Sequence, residues 1–396
     1  MRYQTAFLNA NVIFPDRVQK AGAVALVGDR IGNFGDPKSF SATETIDLEG
    51  KYLSPGFVDL HVHGGGGADF MDLTPDAFRR VCQSHAKHGT TALTPTSTVA
   101  AAEDYDQFLA LCQQMRGDVT TGARVVGSHL YGPYFLPAAK GCHPNAAFLR
   151  PAASQVAGFH DYDAAFPLAV TIAPELPDAE TLTRACRERG IHVNIGHSYA
   201  TMEQVEAAVG WGARHVDHLF CAMSDRARLR QQQAFPMRAG LLETTLVTDQ
   251  LTTEVIADGK HLADSLLRVA YKLKGPDRLA LVTDTMRAMD MPDGEYWFGP
   301  EGSGERIRRL DGAGVTLDGS GLASGVMGMD YCVRTMKNAT KAPLHEIIRM
   351  ASLTPAKIIG LDQQLGSIEV GKRADLVVLD AELQVEQVYV GGHRVH

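Results

Sequence analysis

The sequence predicts an α/β fold: a (β/α)8 TIM-type barrel with a small β-sandwich built from both chain ends. Two observations carry this. In the long middle of the chain, apolar runs of strand length alternate with helical stretches. Eight such runs occur: FVDLHVH, TTALTPTST, ARVVGSHLYG, LAVTIAPE, HVNIGHS, HVDHLF, TTEVIADG and LALVTDT. That alternation is the pattern of a parallel sheet with crossover helices, and eight repeats suit a barrel. The two ends differ from the middle and match each other. TAFLNANVIF, AGAVALVGDRIGNFG and TIDLEGKYLSPG at the start, and GSIEVGKRADLVVLDAELQVEQVYVGGHRVH at the end, read as short strands broken by Gly and Asp turns. Residues 1–54 and 366–396 are therefore assigned to the sandwich, and residues 55–365 to the barrel.

The helices have legible limits. TPDAFRRVCQSHAKHG, DAETLTRACRERG and TMEQVEAAVGWG each open on a Thr or Asp that caps free backbone N–H groups, and each closes on Gly. A length of 396 residues fits a barrel of roughly 250 residues plus an appendage. Hydrophobic content of 45% and charged content of 21% are those of a globular chain. No apolar run approaches the roughly 20 residues that span a bilayer, so no membrane partner is expected. The start of the chain alternates like a strand and lacks the layout of a signal peptide, which predicts a cytoplasmic protein. Six scattered cysteines without a Cys-x-x-Cys pair suggest neither a disulfide framework nor a zinc knuckle. A net charge of -8 without a dense Lys/Arg cluster argues against nucleic acid, where phosphate neutralisation dominates binding. Small molecules remain as the expected partners.

In a barrel of this kind the chemistry sits where strands end, so polar residues closing apolar runs are the ones to collect. His61 and His63 close the first run; strand alternation puts i and i+2 on one face, close enough to converge on one ion. His197 closes the fifth run, His218 the sixth and Asp284 the eighth. One such histidine is ordinarily a satisfied core residue, but four with an aspartate at equivalent ends point to a metal site.

With these residues in hand, the chain resembles the N-acetylglucosamine-6-phosphate deacetylase family of the amidohydrolase superfamily. The likeness rests on PGFVDLHVHGGGG, HLYGPYFLPAAKGCHP, IGHS, DHLFCAM, EVIADGKH, VTDT, LTPAKIIGL and LGSIEVGKRADLVVLD. It implies a metal-dependent hydrolase with an incomplete barrel topped by a β-sandwich, a homodimer and a divalent metal. Acetamide hydrolysis needs a nucleophile stronger than neutral water, which a bound metal supplies. By resemblance, Asp284 accepts the proton of the attacking water and returns it to the leaving amine, and His143 polarises the acetyl carbonyl or contacts the sugar. His261 is similar to a residue that reaches the sugar phosphate, often across the dimer interface. Cys221 and Ala222 stand where backbone N–H groups of the family meet the phosphate.

The sequence departs from the family at Tyr131, which stands where the family has a metal-binding glutamate. A phenol near pKa 10 replaces a carboxyl near 4.3, so one negative ligand is lost. Two divalent ions about 3.5 to 4 Å apart repel by roughly 17 to 19 kcal/mol even at an effective dielectric of 20. One metal per chain is therefore expected, most simply zinc. The preferred ligands are His61, His63, His197 and Asp284, with His218 free to touch water or transition state. The competing set keeps both His197 and His218 on the ion, with Tyr131 or water filling the gap. Tyr131 itself is either a functional hydroxyl at the substrate or a packed ring. A second departure is SDRARLRQQQAFPMRAG after DHLFCAM, where Arg228 is the choice among three arginines for gripping phosphate. The third is Arg287, read as facing a substrate anion or pairing with an acidic neighbour such as Asp290. The function expected is deacetylation of an N-acetylated amino sugar, with N-acetylglucosamine 6-phosphate foremost. A deaminase or other amide hydrolase, and a catalytically silent sugar-binding or scaffold protein, are the alternatives.

Overall fold

A computed structural model describes residues 3–118, 122–144, 148–159, 165–232 and 235–396. Eight inner strands carry the site: β1 (Phe57–Val62), β2 (Thr90–Pro95), β3 (Ser128–Tyr134), β4 (Leu168–Ile172), β5 (His192–Ile195), β6 (His215–Val216), β7 (Thr252–Ile256) and β8 (Leu279–Val282). Each begins inside one of the eight apolar runs, and β3 alone of these strands continues past its run, to Tyr134. β1 pairs with β2 in parallel, and β3 to β8 form a continuous parallel ladder in sequence order. Parallel bridges at Thr96–His129 and Val62–Thr285 link the two groups at both margins. At the second margin the Asp284 N–H donates to the His61 carbonyl at 2.9 Å. The backbone itself thus holds the first and last strands' chemistry together.

Helices pack outside these strands because their apolar faces match the 3.6-residue period. In Pro75–Lys87, Ala77, Phe78, Val81 and Cys82 are buried, and the Thr74 side chain accepts from the Ala77 N–H. Met202–Trp211 opens on a capping box formed by Thr201 and Gln204 and stops at Gly212, whose φ of +133° suits glycine. The predicted Asp178 cap differs. Asp178 holds the cap position of Ala179–Glu188, yet its side chain makes no cap bond and its carboxylate meets Arg150 at 2.7 Å instead. An arginine donor is a stronger draw for a carboxylate than a neutral N–H.

The chain ends form one eight-stranded sheet in which Tyr52–Pro55 runs antiparallel to Leu376–Leu379 and alongside Tyr3–Ile13. It has its own core, including Phe7, Val24, Leu26, Leu53, Leu376, Val378 and Tyr389. The sandwich reading is met to that extent: strands from both ends share a sheet and a core. A separate three-stranded antiparallel sheet, Gly294–Phe298, Glu305–Leu310 and Ala313–Thr316, follows β8 and delivers Phe298 to the site. No described helix is long and apolar enough to cross a membrane.

Candidate active site

His197, His218 and Asp284 each stand two residues beyond the end of their strand, and all three have left-handed backbone, with φ of +46°, +20° and +46°. Side chains other than glycine seldom adopt that region, and such strain concentrates where function over-determines the chain. His61 and His63 lie at the end of β1, fully or nearly fully buried. The five residues converge, but in two separate groups.

The first group is His61, His63 and Asp284, whose ligand atoms lie within 4.8 Å of one another. Asp284 Oδ1 is 3.2 Å from His63 Nε2 and 3.6 Å from His61 Nε2. Two donors on one tetrahedral zinc sit about 3.3 Å apart, given bonds of about 2.0 to 2.1 Å. The spacing is therefore that of atoms sharing an ion. Tautomers agree. His61 Nδ1 is 2.6 Å from Glu254 Oε1, so its N–H donates there and the Nε2 lone pair faces the Asp284 oxygen. That Nε2 is buried with no hydrogen-bond partner. A lone pair opposite a carboxylate calls for positive charge between them. Burial alone would lower the His61 pKa, yet Asp284 and Glu254 together raise it to about 9, so without a metal a proton on Nε2 supplies that charge, and a metal would take its place. Asp284, despite burial, is held well below the usual carboxylate range by His61 and His63. The residues fit a cation.

The second group is Tyr131, His197 and His218. The Tyr131 hydroxyl is 2.5 Å from His197 Nε2 and 2.7 Å from His218 Nε2, and the two Nε2 atoms are 3.2 Å apart. His197 Nδ1 must donate to the Ala139 carbonyl at 2.7 Å, leaving Nε2 to accept the phenol proton. His218 Nε2–H then donates to the phenol oxygen. One phenol thus occupies the nitrogens of both histidines. Burial pushes the Tyr131 pKa well up, with Asp217 and Asp284 adding to it, and burial drives the His197 pKa well down and the His218 pKa to about 4. This group is neutral where the first is ionic. The structure brings together three of the four preferred ligands and places the fourth, His197, with His218 and Tyr131.

Both groups open on a cavity of about 220 Å³ lined by His63, Tyr131, His143, His197, His218, Cys221, Ala222, His261 and Asp284, with Phe298, Leu322 and Ser324 among the rest. His143 is buried, and its Nδ1 accepts from the Val99 N–H at 3.4 Å, which leaves Nε2–H as the ring's donor. Burial and the neighbouring imidazoles keep His143 neutral by pulling its pKa well below the usual value. A neutral donor at a cavity wall suits an amide carbonyl. His261 donates through Nδ1 to Asp258 at 2.8 Å, and its pKa is raised because that carboxylate outweighs burial. Arg228 is exposed and stacks 3.9 Å above the Tyr199 ring, outside the cavity lining. Arg287 is buried and pairs with Asp72 at 2.7 Å and with the Trp297 and Gly299 carbonyls. Its acidic neighbour is therefore Asp72, since Asp290 is taken by His88 and Ser84.

Sequence reasoning missed Glu254, Phe298, Leu322 and Ser324. Glu254 sits inside the apolar run TTEVIADG, where alternation makes it resemble an ordinary outward-facing polar residue. The Ser324 hydroxyl hydrogen-bonds the Asp284 backbone carbonyl from 40 residues away, a contact that no spacing announces.

The amidohydrolase family model matches residues 52–395. The chain belongs to that family. It is 34% identical to N-acetylglucosamine-6-phosphate deacetylase of Vibrio furnissii, covering 89% of this chain and 85% of the relative. It is equally identical to N-acetylgalactosamine-6-phosphate deacetylase of Escherichia coli O157:H7, covering 90% of each. Among solved structures, N-acetylglucosamine-6-phosphate deacetylase of Pasteurella multocida aligns with a TM-score of 0.88 at 28% identity, over 98% of this chain and 99% of that one. A Mycobacterium smegmatis variant in complex with N-acetyl-D-glucosamine 6-phosphate aligns with the same score and identity over 99% of each. The amidohydrolase chain thus has deacetylases as relatives along nearly its whole length.

Proposed function

We propose that this amidohydrolase is a metal-dependent deacetylase that hydrolyses the acetamide of an N-acetylated amino sugar 6-phosphate, N-acetylglucosamine 6-phosphate foremost, to the amino sugar and acetate. The observation that carries the reading is the placement of an ionised Asp284 between two imidazoles on the wall of a cavity that also holds the neutral donor His143. His61, His63 and Asp284 would hold one divalent ion, most simply zinc. When bound, such an ion supplies Lewis acidity and a water of lowered pKa. The chain's residues do the rest. Asp284 accepts a proton from the attacking water, and His143 Nε2–H donates to the acetyl oxygen as negative charge gathers on it. Asp284 then gives the proton to the departing amine.

The phenol between His197 and His218 supports a single ion, because it fills the nitrogens that a second would need. The bridges at both margins of the inner strands support a closed (β/α)8 barrel, and the shared sheet of the two ends supports the sandwich beside it. His261, Cys221 and Ala222 on the cavity wall support a role at the sugar phosphate; a cytoplasmic homodimer completes the proposal. Acetate release from N-acetylglucosamine 6-phosphate, N-acetylgalactosamine 6-phosphate and the unphosphorylated sugars, with metal content measured on the same preparation, tests the reading. Release from a phosphorylated sugar with one metal per chain is expected. No release from any sugar by fully metallated protein would redirect the assignment to deamination or another amide.

A further inference from the structure

Beneath His61 lies a carboxylate that the reaction as described does not use. Glu254, on β7, is 1% exposed. Its Oε1 accepts from His61 Nδ1 at 2.6 Å and also from the backbone N–H of His218 at 3.3 Å. Its Oε2 accepts from His215 Nε2 at 3.1 Å, and His215 Nδ1 meets Thr252 Oγ1 at 2.8 Å. Both oxygens are thus engaged, and the carboxylate has a fixed orientation. Asp217, the other carboxylate in this layer, gives its oxygens to Thr171 at 2.6 Å and Asn194 at 2.8 Å, neither of which faces the cavity. Among the described residues Glu254 hydrogen-bonds both groups of the site, through the ring of His61 and the strained backbone of His218, whereas Asp217 lies near His61 without a hydrogen bond to it.

An anionic acceptor on one nitrogen of an imidazole fixes the tautomer, aims the other nitrogen and makes it a better electron donor. The site has particular use for that effect, because Tyr131 is neutral and supplies no charge from above. We infer that Glu254 is a positioning residue that prepares His61 to ligate a divalent cation, supplying from behind the ring a negative charge, beside that of Asp284, that Tyr131 does not. The inference rests on the reading of His61, His63 and Asp284 as a metal site.

The test is metal affinity, measured on the full-length metal-free protein by zinc and cobalt(II) titration against a competing chelator. Glu254→Gln keeps the shape and removes the charge; its affinity is expected to fall about 10- to 100-fold, with a changed cobalt absorption spectrum. Thr252→Val loosens the far end of the same network and should lower the melting temperature while leaving affinity within about threefold, well short of the loss expected at Glu254. A merely structural Glu254 would give the reverse pattern, lower stability at unchanged affinity. If Glu254→Gln does not fold, Glu254→Asp retains the charge but withdraws it from His61; unchanged affinity in that variant overturns the inference. Wild-type protein that binds no zinc or cobalt at all sinks the metal reading itself. Wild-type binding with Glu254→Gln within threefold sinks only the role given to Glu254.

Discussion

Two triplets of similar composition sit side by side on one cavity and do opposite things. His61, His63 and Asp284 form an ionic group with an unpartnered buried nitrogen. His197, His218 and Tyr131 form a neutral group whose cavity-facing atoms, the phenol oxygen and the two Nε2 nitrogens, satisfy one another within 3.2 Å, with His218 Nδ1 on the far side of the ring left without a partner. Imidazoles are common to both, so they do not make the difference. An ionised carboxylate accepts but brings no proton of its own, so opposite an imidazole lone pair it leaves a gap that a cation fills, whereas a phenol brings its own proton and closes the circle. One residue type decides whether a pair of histidines waits for a metal or is already content.

The largest expected effect breaks the first triplet. Asp284→Asn should retain the fold and lower turnover by about 10²- to 10⁴-fold, the range for loss of a proton-transfer group. Acetate release within tenfold of wild type would remove Asp284 as the general base. The next change converts the second triplet into a copy of the first. Tyr131→Glu should raise metal content from one towards two per chain by elemental analysis. A stoichiometry that stays at one would mean that charge is not what limits it.

His88 sharpens the comparison from outside the site. It bridges Asp290 at 2.8 Å and Asp330 at 2.9 Å, and these carboxylates, working against burial, raise its pKa to about 9. The value matches that of His61, yet both ring nitrogens of His88 are paired. A folded-state pKa above the ordinary 6.5 contributes stability that is complete below pH 6.5 and lost as pH rises through 9. The contribution is at most about 3.4 kcal/mol, by 1.36 kcal/mol per unit. His88→Gln should flatten the decline of melting temperature between pH 6.5 and 9. An unchanged slope would show that the bridge carries no linked proton. The smallest effect is expected at Arg228, which stacks on Tyr199 outside the cavity. Arg228→Ala should alter KM for the phosphorylated sugar by less than about threefold, the range of an exposed cation–π contact; a tenfold rise would return it to the phosphate.

Much of this was legible in the chain. Polar residues closing apolar runs located His61, His63, His197, His218 and Asp284, because parallel strands bring their C-terminal ends to the same side of the sheet whatever the rest of the fold does. The family glutamate's absence at Tyr131 was equally plain. What the phenol does instead was not, since its partners lie 66 and 87 residues away and tautomers depend on a carbonyl at Ala139. The same distance effect hid Glu254, whose role exists only because β7 lies where its carboxylate meets a histidine 193 residues earlier. The cap misread at Asp178 has a like cause: Arg150 competes for the carboxylate from outside the helix. Local pattern gives the elements and the rim; long-range electrostatics assigns the partners.

The sheet shared by the two chain ends bears on how the molecule is made. Tyr52–Pro55 pairs with Leu376–Leu379, so the early strand finds its neighbour only after roughly 320 further residues have been synthesised, about 15 to 65 s at ordinary ribosomal rates. Through that interval the core around Phe7, Val24 and Leu26 lacks the partners that Leu376, Val378 and Tyr389 will supply. The sheet begun by Tyr3–Ile13 and Tyr52–Pro55 is therefore finished only after the strands between them and Leu376 have been made, and a nascent chain stalled before Leu376 presents an open strand edge to whatever chaperone or fellow chain meets it first.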